Sequence, residues 1–131
     1  MQIIFSEKQS DYQITAKLER EGQDILIQLV GGDVPHFGVV TGVNENNLLY
    51  DIQMPSRKGH VHQETVLTHE MIKIIQPVIQ GNVFIVSGVH VNNISKIQMQ
   101  AAFEMVEKLA QKVKEWIIDN PGKQQVEHFA N

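Results

Sequence analysis

The chain has 131 residues, 42% hydrophobic and 20% charged, a balance that fits one ordinary globular domain and excludes a disordered chain. Its net charge of −4 offers no electrostatic footprint for nucleic acid, and no apolar run approaches the length of a membrane span. There is no cysteine, so disulfides, thiolate metal sites and cysteine nucleophiles are excluded. The opening Met1-Gln2-Ile3-Ile4-Phe5 lacks the basic region and long apolar core of a signal peptide, so a soluble, cytoplasmic protein is expected.

The first half reads as strands. Tyr12, Ile14, Ala16 and Leu18 alternate with Gln13, Thr15, Lys17 and Glu19, the period of a strand with one buried face. Arg20-Glu21-Gly22-Gln23 has the composition of a hairpin connection, with Gly22 supplying the unusual backbone angle. Ile25, Ile27 and Leu29 repeat the alternation on the return strand. Gly31-Gly32-Asp33-Val34-Pro35 interrupts it, and residues 37–43 resume an extended, β-branched run. Asn44-Glu45-Asn46-Asn47 is a polar turn, and residues 48–52 form a further strand.

The second half changes character. Residues 65–76 carry Val66, Leu67, Met71, Ile72 and Ile75 at helical spacing, and Pro77 marks the end. Residues 82–87 contain the continuous apolar run Val83-Phe84-Ile85-Val86, expected of a strand covered on both faces. Ser95 stands three residues before Gln98, a capping-box pattern. From there Ile97, Ala101, Met105, Leu109 and Val113 recur every four residues, and Asn120-Pro121-Gly122 closes a long helix. Met99 and Met105 are expected in the core, with Trp116 and Ile118 extending the apolar surface toward a subunit interface. The expectation is an α+β domain: an antiparallel, sandwich-like meander carrying a short helix and one long C-terminal helix. It forms a single domain over residues 1–131, with an ordered core over about 3–119 and a frayed tail over 123–131.

Candidate chemistry concentrates in histidines at strand ends and loops. His60, His62 and Glu64 share one face if their segment is extended, and imidazole with carboxylate suits Zn, Mn, Fe or Ni. The segment matches the cupin signature only in part, because Glu64 follows the second histidine too soon. The plainer reading is two exposed histidines after Pro55-Ser56-Arg57-Lys58-Gly59. Gly31-Gly32-Asp33-Val34-Pro35-His36 permits close backbone approach to a ligand, or is a tight turn whose Asp33 caps its own backbone. It is not a phosphate-binding P-loop, since no Lys-Ser/Thr follows the glycines. His90, Asn92, Asn93 and Ser95 precede the long helix, whose first amides and partial positive charge suit a phosphate or carboxylate. Arg57 and Lys58 either grip a phosphate or form a solvated charge pair. No nucleophile-base-acid spacing and no paired-carboxylate motif is present, so an enzymatic reading rests on composition alone.

Taken together, Gly31 to His36 with Gly38-Val39-Val40, the Gly59-His60-Val61-His62 segment, and the stretch from Asn82 to His90 with Asn92-Asn93-Ile94 resemble the prenylated-flavin chaperone family of LpdD-like proteins. The resemblance covers about residues 12–116. It implies a fold similar to that of the small proteasome-assembly chaperones, which commonly dimerise. It also implies binding of prenylated flavin mononucleotide and its delivery to a UbiD-type decarboxylase apoenzyme, with no catalysis by the chain itself. By the same carry-over, Asp33 and His36 would line the cofactor site from one turn. Arg57, His60 and His62 would approach the phosphate or ring from the loop before the first helix. His90, Asn92 and Asn93 would hold the anionic end. A divalent metal on His60 and His62 is compatible with this arrangement but not required by it. Two other functions stay open: a small metal-dependent enzyme using His36, His60, His62 and His90 with Glu64, and a pure protein-assembly factor in which the histidines are incidental.

Overall fold

The computed structural model describes residues 2–55 and 65–130. Its elements run β1 (Gln2–Gln9), β2 (Tyr12–Glu21), β3 (Asp24–Gly32), β4 (Val39–Val43), β5 (Leu49–Gln53), α1 (Thr65–Ile75), a 3-10 turn over Gln76–Val78, β6 (Val83–His90) and α2 (Lys96–Asp119). The architecture is α+β: a sheet, a short helix and a long C-terminal helix. The six strands form one sheet in the order β1-β2-β3-β6-β4-β5. β6 inserts between β3 and β4, running parallel to β3 and antiparallel to β4, while the remaining neighbours pair antiparallel. The parallel seam follows from connectivity. The chain leaves β3, makes the β4–β5 hairpin, and returns through α1, which is the kind of crossover parallel strands require.

β1 has no strong alternation to announce it, and tertiary pairing brings it in. It lies along β2 from Gln2↔Glu19 to Gln9↔Tyr12, joined by the two-residue turn Ser10-Asp11. Both turn residues have positive φ, 53° and 69°, the conformation that a type I′ hairpin demands and that Asn-Gly or Asp-Gly would normally signal. The β2–β3 hairpin uses Gly22 at φ 60°, as its composition indicates. In the β4–β5 turn, Asn44 Oδ1 accepts the amides of Asn46 and Leu48 at 2.9 and 3.1 Å.

Both helices pack on one face of the sheet. Ile14, Ala16, Leu18, Ile25, Ile27, Leu29, Val83 and Ile85 meet Leu67, Met71 and Ile75 of α1 and Ala101, Met105, Leu109 and Val113 of α2. Each large side chain buried here stabilises the fold by roughly 1.5–3 kcal/mol relative to exposure. α2 begins with a complete capping box between Ser95 and Gln98 and ends before Pro121, with the Asn120 amide bonded to Trp116 O at 2.9 Å. Trp116 turns inward rather than outward: it is partly buried against the core, and the Arg20 guanidinium lies 4.4 Å from its ring centroid. Ile97, Met99 and Ile118 are exposed, so the apolar stripe of α2 begins at Ala101 and the core takes only Met105 of the two methionines expected there.

The opposite face of the sheet carries no helix among the described residues. Along β6, Val83, Ile85 and Ser87 are buried, while Phe84 stays 46% exposed. The continuous apolar run of β6 therefore does not mark a strand covered on both faces. It marks a strand whose open face is itself apolar.

Candidate functional site

Because β3 and β6 are parallel, their C-terminal ends emerge side by side, with Gly32 in register with His90. Crevices beyond the carboxyl ends of parallel strands are common ligand sites. Two glycines are needed for this meeting. A Cβ on Gly31 would stand 2.2 Å from Gln13 O, and one on Gly32, at φ 83°, would stand 2.2 Å from His90 O. The close approach that these glycines allow is thus to neighbouring strands.

Beyond that point the two turns are stitched together. The Asp33 and Val34 amides both donate to His90 O, at 2.7 and 3.2 Å. Asp33 Oδ2 accepts the Asn92 amide at 2.8 Å. The Asp33 carboxylate is therefore committed to positioning Asn92. Farther along, the His36 amide donates to Gly88 O at 3.4 Å and the Gly38 amide to Ser87 O at 2.8 Å, which lays the turn across the end of β6. Gly88 makes room: a Cβ there would come 2.0 Å from His36 O and 2.8 Å from His36 Cδ2.

The imidazoles are oriented by their partners. His36 Nδ1 lies 2.9 Å from Val34 O, and since a carbonyl only accepts, Nδ1 carries the proton. His90 Nε2 donates to Asn92 Oδ1 at 3.1 Å. Asn93 has φ 52°, a left-handed position that asparagine tolerates better than most residues and that turns the chain into α2. The start of α2 is braced from below. Tyr12 Oη donates to Gln98 O at 2.6 Å, and the Gln98 amide group donates to Ser10 O at 3.1 Å. Burial pushes the Tyr12 hydroxyl above its ordinary pKa of 10.0.

The structure thus gathers Asp33, His36, His90, Asn92 and Asn93 onto adjoining turns at one end of the sheet. Arg57, His60, His62 and Glu64 lie outside the described residues. Among the described residues, no group of three or more His, Asp or Glu side chains is placed to hold a metal ion. No helix among them is long and apolar enough to cross a membrane.

Two features were missed from sequence. On the helix face, buried Thr41 Oγ1 donates to Asp51 Oδ1 at 2.6 Å and lies 2.6 Å from Thr68 Oγ1, while Asp51 Oδ2 lies 2.8 Å from His69 Nε2. This network ties α1 to the β4–β5 hairpin, and no local spacing links its members. The second feature is an open-face groove of about 310 Å³, lined by Val40, Gly42, Leu48, Tyr50, Ile52 and Phe84 among others. Its signal was present in the apolar run of β6 and in Leu48-Leu49-Tyr50.

Residues 8–118 match the family model described as the prenylated flavin chaperone LpdD-like domain. Over 117 residues the chain is 34% identical to Protein LpdD of Lactiplantibacillus plantarum, covering 89% of this chain and 86% of that protein. The chain belongs to the LpdD-like prenylated flavin chaperone family.

Proposed function

We propose that the protein binds prenylated flavin mononucleotide and delivers it to a UbiD-type decarboxylase apoenzyme, acting as carrier rather than catalyst. Family membership supports the chaperone role. The observation that supports a cofactor site in this place is the convergence of Asp33, His36, His90, Asn92 and Asn93 beyond β3 and β6. The residues fit the ligand. Imidazole and carboxamide groups can donate to a phosphate, and the apolar sheet face beside them suits a ring system. His90 Nε2 is engaged by Asn92 Oδ1, which fixes the orientation of the ring at the rim of the site. In this reading Asp33 positions the turn, and Arg57, His60 and His62 complete the phosphate end.

The test is anaerobic incubation with reduced prenylated flavin mononucleotide followed by gel filtration. A comigrating flavin chromophore, and slower maturation of a UbiD-type decarboxylase when the protein is omitted, are the expected results. Absence of both would sink the proposal. Metal analysis of untagged protein separates the metal-enzyme alternative, which requires stoichiometric metal lost in a His60→Ala, His62→Ala variant. Replacing His36, His60, His62 and His90 by Gln separates the pure assembly factor, which would keep its partner binding. A homodimer is part of the proposal, supported by exposed Ile97 and Ile118 along α2, and light scattering would report it.

A further inference from the structure

We propose that the open face of the sheet is the bed for the prenylated ring system, which lies over Phe84, Val86 and Tyr50 with its phosphate directed toward His36 and His90. This rests on the functional reading above and adds where, and in which direction, the ligand lies.

The outer face of the sheet is divided. By register, Tyr50, Gly42 and Phe84 form one cross-strand row, and Ile52, Val40, Val86, Gln28 and Lys17 the next. The Phe84 row stays apolar through Leu26 of β3 and turns polar at Glu19 of β2, whereas the Val86 row turns polar at Gln28. The Phe84 ring lies across Gly42, where a Cβ would come 3.2 Å from Cδ1, so the groove has an aromatic floor. A flat ring system gains most by stacking on such a floor.

The same strand joins floor to rim. Phe84, Val86, Gly88 and His90 all fall on the outer face of β6, and His36 sits over Gly88. From Phe84 to Gly88, where the His36 turn covers the strand, the outer face of β6 runs four steps, about 13 Å at ~3.3 Å per residue, so a ring system lying on it brings its phosphate tail to the His36 turn. The polarity runs the same way along both partners: apolar and aromatic at one end, anionic against imidazole at the other. The third match is lateral. A flavin's pyrimidine edge alternates carbonyl acceptors with an N–H donor, and Gln28, in register with Val86, brings an amide with both functions. A protein partner would have no need of this lengthwise order.

Phe84→Ser and Tyr50→Ser, at positions 46% and 67% exposed, test the bed. Val66→Ser on α1 is the control. Equilibrium binding is measured with prenylated flavin mononucleotide, flavin mononucleotide and riboflavin, and folding is checked by circular dichroism. The expected result is a loss of about tenfold in affinity for the prenylated ligand in both variants, the scale of one lost aromatic stacking partner. His36→Gln should weaken flavin mononucleotide while leaving riboflavin unchanged, because riboflavin lacks the phosphate. If wild-type protein binds none of the three, the functional reading fails and the bed with it. If wild-type protein binds and both serine variants match it, the bed is refuted while the carrier function stands. A wild-type dimer that falls to monomer in the serine variants would assign this face to a second copy and overturn the proposal. Should Phe84→Ser fail to fold, the more exposed Tyr50→Ser decides.

Discussion

Gly88→Ala is the sharpest test of how the site is held. Gly88 sits on β6 with no unusual backbone angle, so alanine is conformationally acceptable and only space opposes it. The new methyl would lie 2.0 Å from His36 O and 2.5 Å from His36 C, both backbone atoms. Ordinary contact begins near 3.4 Å, so the turn must retreat by more than an ångström. Retreat strains or breaks the His36 amide bond to Gly88 O and the Gly38 amide bond to Ser87 O. Two backbone hydrogen bonds at about 1 kcal/mol each, with the strain of overpacking, give a loss of about 2–3 kcal/mol. Gly42→Ala is the internal comparison. Its methyl would meet Phe84 Cδ1 at 3.2 Å, and an exposed side chain can yield, so the loss should stay under about 1 kcal/mol. Urea unfolding at constant m-value measures both. Equal losses for the two variants, or a neutral Gly88→Ala, would refute the claim that the His36 turn is clamped onto β6.

Thr41→Val keeps the shape of a fully buried residue but strips Asp51 and Thr68 of their shared partner, and should cost about 1–3 kcal/mol by urea unfolding. Tyr12→Phe removes the bond to Gln98 O and should cost about 1 kcal/mol at neutral pH. Because burial raises the Tyr12 pKa above 10.0, the folded state holds that proton more tightly. Its contribution is complete below the unfolded value and is lost as pH rises through the folded one. The gap between wild type and Tyr12→Phe should therefore narrow in strong alkali, and a constant gap would contradict this. Leu109→Ala, at a fully buried core position, should lower stability by about 2–5 kcal/mol without altering ligand affinity beyond the folded fraction.

His60 and His62 lie outside the described residues, so the contribution of that segment rests on the binding experiments. What the structure adds to the remaining motif residues is a division of labour. Gly31, Gly32 and Gly88 create approach and Asp33 fixes the turns, while the proposed function assigns ligand contact to His36, His90 and Asn92.

Local chemistry was enough for much of the fold. The alternation in β2 and β3, the Gly22 hairpin, the capping box of α2 and its end before Pro121 all depend on neighbours within a few residues, and they stand as read. The resemblance in the polar motifs likewise pointed to the right family. The β1 hairpin was illegible because Ser10 and Asp11 adopt left-handed angles without a glycine to signal them. The insertion of β6 between β3 and β4 joins residues 58 apart, as in the Asn82 amide bond to Asp24 Oδ1, and no periodicity encodes such a pairing. Periodicity could show that β6 was apolar on both faces, but not what lay against each one. Tertiary structure decided that: the helices take one face and leave the other, with Phe84 and Tyr50, open. A strand's two faces are set by its own sequence, whereas their occupants depend on where distant elements find room to pack.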